Sequence, residues 1–342
     1  MRDNKNTLRL VLTILLTLAV AACAPAATEA PATSAPAQPA EPAAPFRIAV
    51  VAPSPTNDLA FTQSMFDAVN AIAEERGNVE IAFSEGMFVV DDAAAALRDY
   101  AAQGFNLVIA HGSQYGSSLQ EIAPDFPETS FAWGTTVDTF GLDNVYAYEA
   151  RSEEGGYVNG VIAASLSQSG VIGVVGPIET GDAKLYVDGF VAGARSVDPA
   201  VEVNVNWIGS FSDVALASEA AQTHINAGAD VLTGTAQMVV GAIGVAEASG
   251  VMWFGTQSDQ SALAPDVVVA NQVYDWTGAL GQIIDNIQAG TLGGETYALT
   301  LANGGLKIQF NPGFDVPQEA SAAADAAIAG ISDGSITIEM GN

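Results

Sequence analysis

Basic residues are scarce: 10 Lys and Arg face 39 Asp and Glu in 342 residues, for a formal charge of −29. Such a surface repels polyanions, which argues against nucleic acid as a partner and suits a neutral or cationic small molecule better. Charge of this size also serves simply to keep a protein soluble. Histidine occurs twice and cysteine once, so no His/Cys cluster with metal-ligand spacing can be written and no intramolecular disulfide can form. Neither a metal nor another cofactor is expected. No apolar run reaches the roughly 20 residues that a helix needs to cross a bilayer core. His111-Gly112-Ser113 lacks the Gly-x-Ser-x-Gly elbow of a hydrolase, and His224 sits in a helical pattern that suits a surface histidine. The glycines at 170, 173, 176 and 181 fit neither a Walker loop nor a dinucleotide fingerprint. No catalytic machinery is visible, so the expected role is binding.

The longest apolar run, Leu10–Ala22, is 13 residues long and follows Arg2, Lys5 and Arg9. Basic residues, a short apolar core and small side chains at its end describe a signal peptide over residues 1–22. Cys23 directly follows Leu18-Ala19-Val20-Ala21-Ala22, a pattern that resembles the lipobox of bacterial lipoproteins. That resemblance implies cleavage before Cys23, lipidation of its sulfur, and a lipid-anchored location on the extracytoplasmic side of a cell membrane. Residues 23–45 are almost wholly Ala, Pro, Thr, Ser and Glu, which cannot build a core and reads as a tether. No helix-turn-helix precedes Phe46, which together with export argues against a DNA-binding regulator.

From Phe46 onward, short β-branched segments alternate with helical patterns. Strands are expected at Phe46–Val51, Val79–Phe83, Leu107–Ala110, Ser130–Trp133 and Val145–Tyr148, with Phe61, Met65, Val69 and Ile72 on one helical face and a second helix over Asp91–Gln103. The pattern then restarts with strands at Val171–Val175, Val201–Ile208 and Val231–Leu232 and helices near Lys184–Arg195 and Asp213–Ala227. Ile48 and Ile172 open the two halves, 124 residues apart, and Gly104 and Gly228 repeat at the same offset, each where a helix ends before a strand. The expected fold is α/β, with two doubly wound parallel-sheet lobes joined by a three-segment hinge. Strands at Val251–Gly255, Val267–Val273 and Tyr297–Leu301 and a helix at Gly278–Gln288 place the crossings near 149–152, 272–276 and 300–304. Lobe 1 is then 46–150 plus 275–300, and lobe 2 is 151–274 plus 301–342. The ligand belongs in the cleft at the carboxyl ends of the strands.

Four stretches carry a resemblance: Asn57-Asp58-Leu59-Ala60-Phe61-Thr62-Gln63, Glu153-Glu154-Gly155-Gly156-Tyr157-Val158-Asn159-Gly160, Trp207-Ile208-Gly209-Ser210-Phe211-Ser212-Asp213, and Ser258-Asp259-Gln260-Ser261-Ala262-Leu263-Ala264-Pro265-Asp266. Together they are similar to the basic membrane protein family of solute-binding lipoproteins, which includes purine-nucleoside receptors of ABC importers. The resemblance implies a monomeric binding protein that passes a small solute to an ABC permease, with a base clamped between aromatic rings at Phe61 and Phe211. Relatives that bind nucleosides carry Gly-Val-Asp, whose carboxylate holds sugar hydroxyls, where this chain has Gly255-Thr256-Gln257. A lysine of those relatives is matched here by Tyr274 or Asp275, beside Trp276. The pattern is closer to a subgroup that binds a free purine base.

In chemical terms Asn57, Thr135 and Gln257 both donate and accept hydrogen bonds, while Asp58 and Asp275 accept from an exocyclic amine. Asp58 has a competing role as the cap of the following helix. Phe61 equally begins the apolar stripe that continues with Met65. Of the four tryptophans, Trp276 is the candidate ligand wall and the others are expected in the interior.

Overall fold

The computed structural model describes residues 44–340; the signal peptide, Cys23 and nearly all of the tether lie outside them. Twelve strands and nine α-helices are present among the described residues. The first sheet holds β1 (Phe46–Val51), β2 (Val79–Ser84), β3 (Leu107–His111), β4 (Ser130–Gly134), β5 (Val145–Ala150) and β11 (Thr296–Leu299) in the order β11-β5-β4-β3-β1-β2. The second holds β6 (Val171–Gly176), β7 (Glu202–Trp207), β8 (Val231–Gly234), β9 (Met252–Gln257), β10 (Val268–Tyr274) and β12 (Leu306–Phe310) in the order β12-β10-β9-β8-β6-β7. All pairings are parallel except β10 with β12. The α/β double-sheet expectation is met.

Parallel strands covered on both faces need apolar side chains on both, and β1 is built so. Ile48 and Val50 pack with Met65, Val69 and Ile72 of α1 (Phe61–Arg76) and with Ile283 and Ile284 of α8 (Thr277–Gln288). Ala49 and Val51 face the other way, toward Leu97 of α2 (Val90–Ala102) and Leu119 of α3 (Gly116–Ile122). In the second sheet Ile172 and Val174 meet Val158 and Ile162 of α4 (Ser152–Leu166), Phe190 of α5 (Gly181–Val197) and Ala324 of α9 (Gln318–Ser332). Val175 points to the opposite face, against α6 (Val214–Asn226) and α7 (Val239–Ser249).

His224 on α6 is buried rather than on the surface. Gly173 of β6 makes the room, since a Cβ there would lie 2.5 Å from the His224 Cβ, and the ring nitrogen Nε2 reaches the Val174 carbonyl at 3.2 Å.

Helices α4 and α5 approach closely through glycines. A Cβ at Gly160 would stand 2.1 Å from the Phe190 carbonyl oxygen, and one at Gly193 would stand 2.0 Å from that of Tyr157. The obstruction is backbone, which cannot rotate away. Gly160→Val is therefore expected to destabilise the protein by about 3 kcal/mol, at the upper end of the usual cost of overpacking. Urea denaturation measures this, and an unchanged midpoint would contradict so tight a crossing.

The chain passes between the sheets three times: from β5 to α4 at Ala150–Ser152, from β10 to α8 at Tyr274–Thr277, and from β11 to β12 between Leu299 and Leu306. Among the described residues no helix is long and apolar enough to cross a membrane, and no group of three or more His, Cys, Asp or Glu is placed to hold a metal.

Candidate functional site

The carboxyl ends of β1 and β4 in one lobe face those of β6, β8 and β9 in the other across a narrow, nearly closed cleft. Four of the expected residues line it: Phe61 and Thr135 from the first lobe, Phe211 and Gln257 from the second. Cross-lobe hydrogen bonds hold it shut. Gln237 Nε2 donates to Ser54 Oγ at 3.1 Å, Ser258 Oγ to the Ala60 carbonyl at 2.8 Å, and Thr135 Oγ1 to Asp182 Oδ1 at 3.2 Å.

Phe61 opens α1, and its ring lies flat on His111, with centroids 3.7 Å apart and planes 7° from parallel. Burial drives the His111 pKa down to about 3, so the ring is neutral. Because the Phe61 carbonyl can only accept, His111 Nε2 donates to it at 3.0 Å and Nδ1 accepts from Tyr148 OH at 2.8 Å. Phe61 is thereby backed by a fixed ring on one face while lining the cleft.

The residue that sequence reasoning missed is Asp182, in the first turn of α5, where a carboxylate also complements the helix dipole. Its Oδ2 accepts from Tyr274 OH at 3.0 Å. Burial raises the Asp182 carboxyl above its ordinary range, opposed by hydrogen bonds from Tyr274, Thr135 and the Gln257 amide. Gln257 itself is buried with a φ of 72°, and its Oε1 has no hydrogen-bond partner. A signal for Asp182 existed in the sequence: it stands 124 residues after Asp58, the spacing of the internal repeat.

The remaining expected residues sit elsewhere. Asp58 caps α1: Oδ1 accepts from Ala60 N and Gln63 N, and Oδ2 accepts from Thr62 N and Ser54 Oγ, all within 3.1 Å. These bonds occupy the carboxylate and favour its capping role. Asn57 is exposed and outside the cleft lining. Asp275 points into a hinge groove, where it pairs with Lys307 Nζ at 2.6 Å and accepts from Thr277. Partial burial would raise its pKa, but Lys307 and Thr277 outweigh this and lower it. Trp276 is fully buried, donates to Ser64 Oγ at 2.9 Å and meets Phe61, His111 and Tyr148 edge-on. The expectation of a ligand wall at Trp276 is thus corrected: it packs behind the wall. Tyr274 is likewise buried, one hydrogen bond behind Asp182.

Two mirrored α/β lobes, three crossings and an aromatic-lined cleft at the strand ends define a hinged solute-binding protein. Residues 46–329 match the family described as ABC transporter substrate-binding protein PnrA-like, Bmp, and the chain belongs to that family. It is 31% identical over 231 residues to a protein named purine-binding protein from Brucella abortus, a match covering 67% of this chain and 65% of that one. A Bacillus subtilis relative named transcriptional activator protein med is 27% identical over 253 residues, covering 73% of this chain and 78% of that protein. A solved ABC transporter solute-binding protein from Conexibacter woesei superposes with a TM-score of 0.72 at 24% identity, over 86% of this chain and 99% of that one, and supports the fold.

Proposed function

We propose that the protein is a lipid-anchored, extracytoplasmic receptor that closes over a purine-type base, or secondarily a nucleoside, and delivers it to an ABC permease. The observation that carries this reading is the pairing of aromatic rings from both lobes, Phe61 and Phe211, with two acceptors, Asp182 and the unpartnered Gln257 Oε1, in one cleft. Flat rings select a planar solute, and acceptors select one that presents N–H groups at its edge, as an amino-purine does. The name of the Brucella relative points the same way. Gln257 in place of a sugar-binding carboxylate favours the free base.

Stacking contributes about 1–3 kcal/mol per ring and a hydrogen bond to a charged acceptor about 1.5–3 kcal/mol, enough together to approach the roughly 8 kcal/mol of micromolar affinity. Closure follows from the ligand touching both lobes, because only its differential affinity for the closed state shifts the equilibrium. Isothermal titration with adenine, guanosine, xanthine and riboflavin tests the reading. Micromolar binding of adenine is expected, and silence across the purines would sink it. A second reading, a sensor that hands its closed state to a membrane receptor, draws on the Bacillus relative named as a transcriptional activator. Stimulation of a reconstituted permease and its ATPase by the loaded protein separates transport from sensing.

A further inference from the structure

We propose that Tyr274 and Ser152 are positioning residues for Asp182, forming a hydroxyl chain that ties the cleft carboxylate to two of the three hinge crossings. The inference rests on the reading above only for its consequence for the ligand; the chain itself stands on geometry. Tyr274 OH lies 3.0 Å from Asp182 Oδ2 and 2.6 Å from Ser152 Oγ, and Ser152 Oγ lies 3.3 Å from the Ala150 carbonyl. Tyr274 ends β10 at the second crossing, and Ser152 begins α4 at the first. Both side chains are buried, so bulk water does not compete for these bonds.

Each hydroxyl has one proton, and this makes the chain directional. When Asp182 is ionised it can only accept, so Tyr274 donates to it and Ser152 donates to Tyr274, leaving the Ala150 carbonyl without the serine proton. When Asp182 is neutral, Tyr274 is free to donate to Ser152 and Ser152 to Ala150. The charge in the cleft therefore sets the order of protons as far as the backbone of the first crossing. A ligand N–H that favours ionised Asp182 selects the first order. Tyr274 acts on the solute through Asp182, without touching it.

Other charged groups around Asp182 are few or already engaged. Lys184 on the same helix pairs with Glu179 and Asp188. Glu149 on β5 is the neighbouring carboxylate whose charge couples to Asp182, and Arg151 and Glu153 beside it pair with each other. Thr135 and Gln257, the remaining neighbours, do not titrate in the working range.

The test follows the Asp182 carboxyl by ¹³C NMR titration of the full protein labelled at aspartate, with Asp182→Asn identifying the resonance. Wild-type Asp182 is expected to titrate above the ordinary carboxylate range. Tyr274→Phe, which removes one donor to the ionised form, is expected to move its midpoint up by about one further unit. Ser152→Ala is expected to move it the same way by less, and carries the test if Tyr274→Phe does not fold. An unchanged midpoint in every variant that folds overturns the chain. The readout needs no ligand, so the two ideas can fail separately. An upward shift with no adenine binding sinks the purine reading alone. Adenine binding that Asp182→Asn abolishes, with an unmoved midpoint in Tyr274→Phe, sinks the chain alone.

Discussion

Between pH 6.5 and about 3, wild-type protein is expected to lose about 1.4 kcal/mol per pH unit relative to a His111→Gln variant, a difference of about 5 kcal/mol in all. The sign follows from burial. An unfolded chain protonates His111 near pH 6.5, whereas the folded protein holds it neutral down to about 3. Through that window the unfolded state binds the extra proton, so acid favours unfolding; above it the effect vanishes. Glu149, Glu154 and Asp67, which burial raises, act in the opposite direction, because their neutral forms suit the folded state. They are common to both proteins and cancel in the comparison. At neutral pH the variant is expected to be the less stable, since it loses the ring under Phe61. Urea denaturation at half-unit pH steps gives both curves, and parallel curves would show that His111 is not held neutral.

Asp182→Ala is expected to weaken adenine binding about 100-fold, near the upper end of what a hydrogen bond to a charged acceptor supplies. It removes the acceptor proposed for the ligand and also leaves Tyr274 OH without its carboxylate partner. Asp58→Ala should behave differently. It loses the cap of α1, at about 1–2 kcal/mol of stability, with a much smaller effect on affinity in whatever fraction remains folded. Titration calorimetry paired with thermal melts separates the two, and similar behaviour of both variants would falsify the division of roles.

Much of the fold was readable from pattern alone. Strands buried on both faces announce themselves as unbroken β-branched runs, as in Phe46–Val51 and Val171–Val175, and the 124-residue repeat foretold the second sheet. Helix α4 escaped because Gly155, Gly156 and Gly160 have poor helix propensity, and the benefit of those glycines exists only in tertiary contact, Gly156 and Gly160 against α5 and Gly155 against Gln272 of β10. Helix α7, Val239–Ser249, has apolar residues around much of its circumference and so gives no clear period. The antiparallel edge strand Leu306–Phe310 follows the last crossing, where the repeat has no internal parallel counterpart.

The site was legible in part for a related reason. Thr135 and Gln257 sit at strand ends, and Phe61 and Phe211 at the far side of the loops that leave such ends, which is where this fold opens. Asp58, Asp275 and Trp276 lie close to such ends in sequence, but a cap, a salt bridge and a core position claim them. Choosing among neighbours in a loop requires knowing which way each side chain turns. Sequence spacing does not carry that information, although the repeat offset from Asp58 to Asp182 came close to it.

That offset has a consequence for how such a receptor changes its cargo. Each half holds an aspartate at this offset: Asp58 precedes its helix and accepts from the first amides of α1, while Asp182 lies within the first turn of α5 and lines the cleft. On the proposed function, substitution at 182 acts chiefly on recognition, with a smaller loss at the first turn of α5, whereas substitution at 58 acts chiefly on the start of α1. On the proposed function, the duplicated scaffold divides two tasks between its halves, with one aspartate anchoring a helix start and the other facing the cleft.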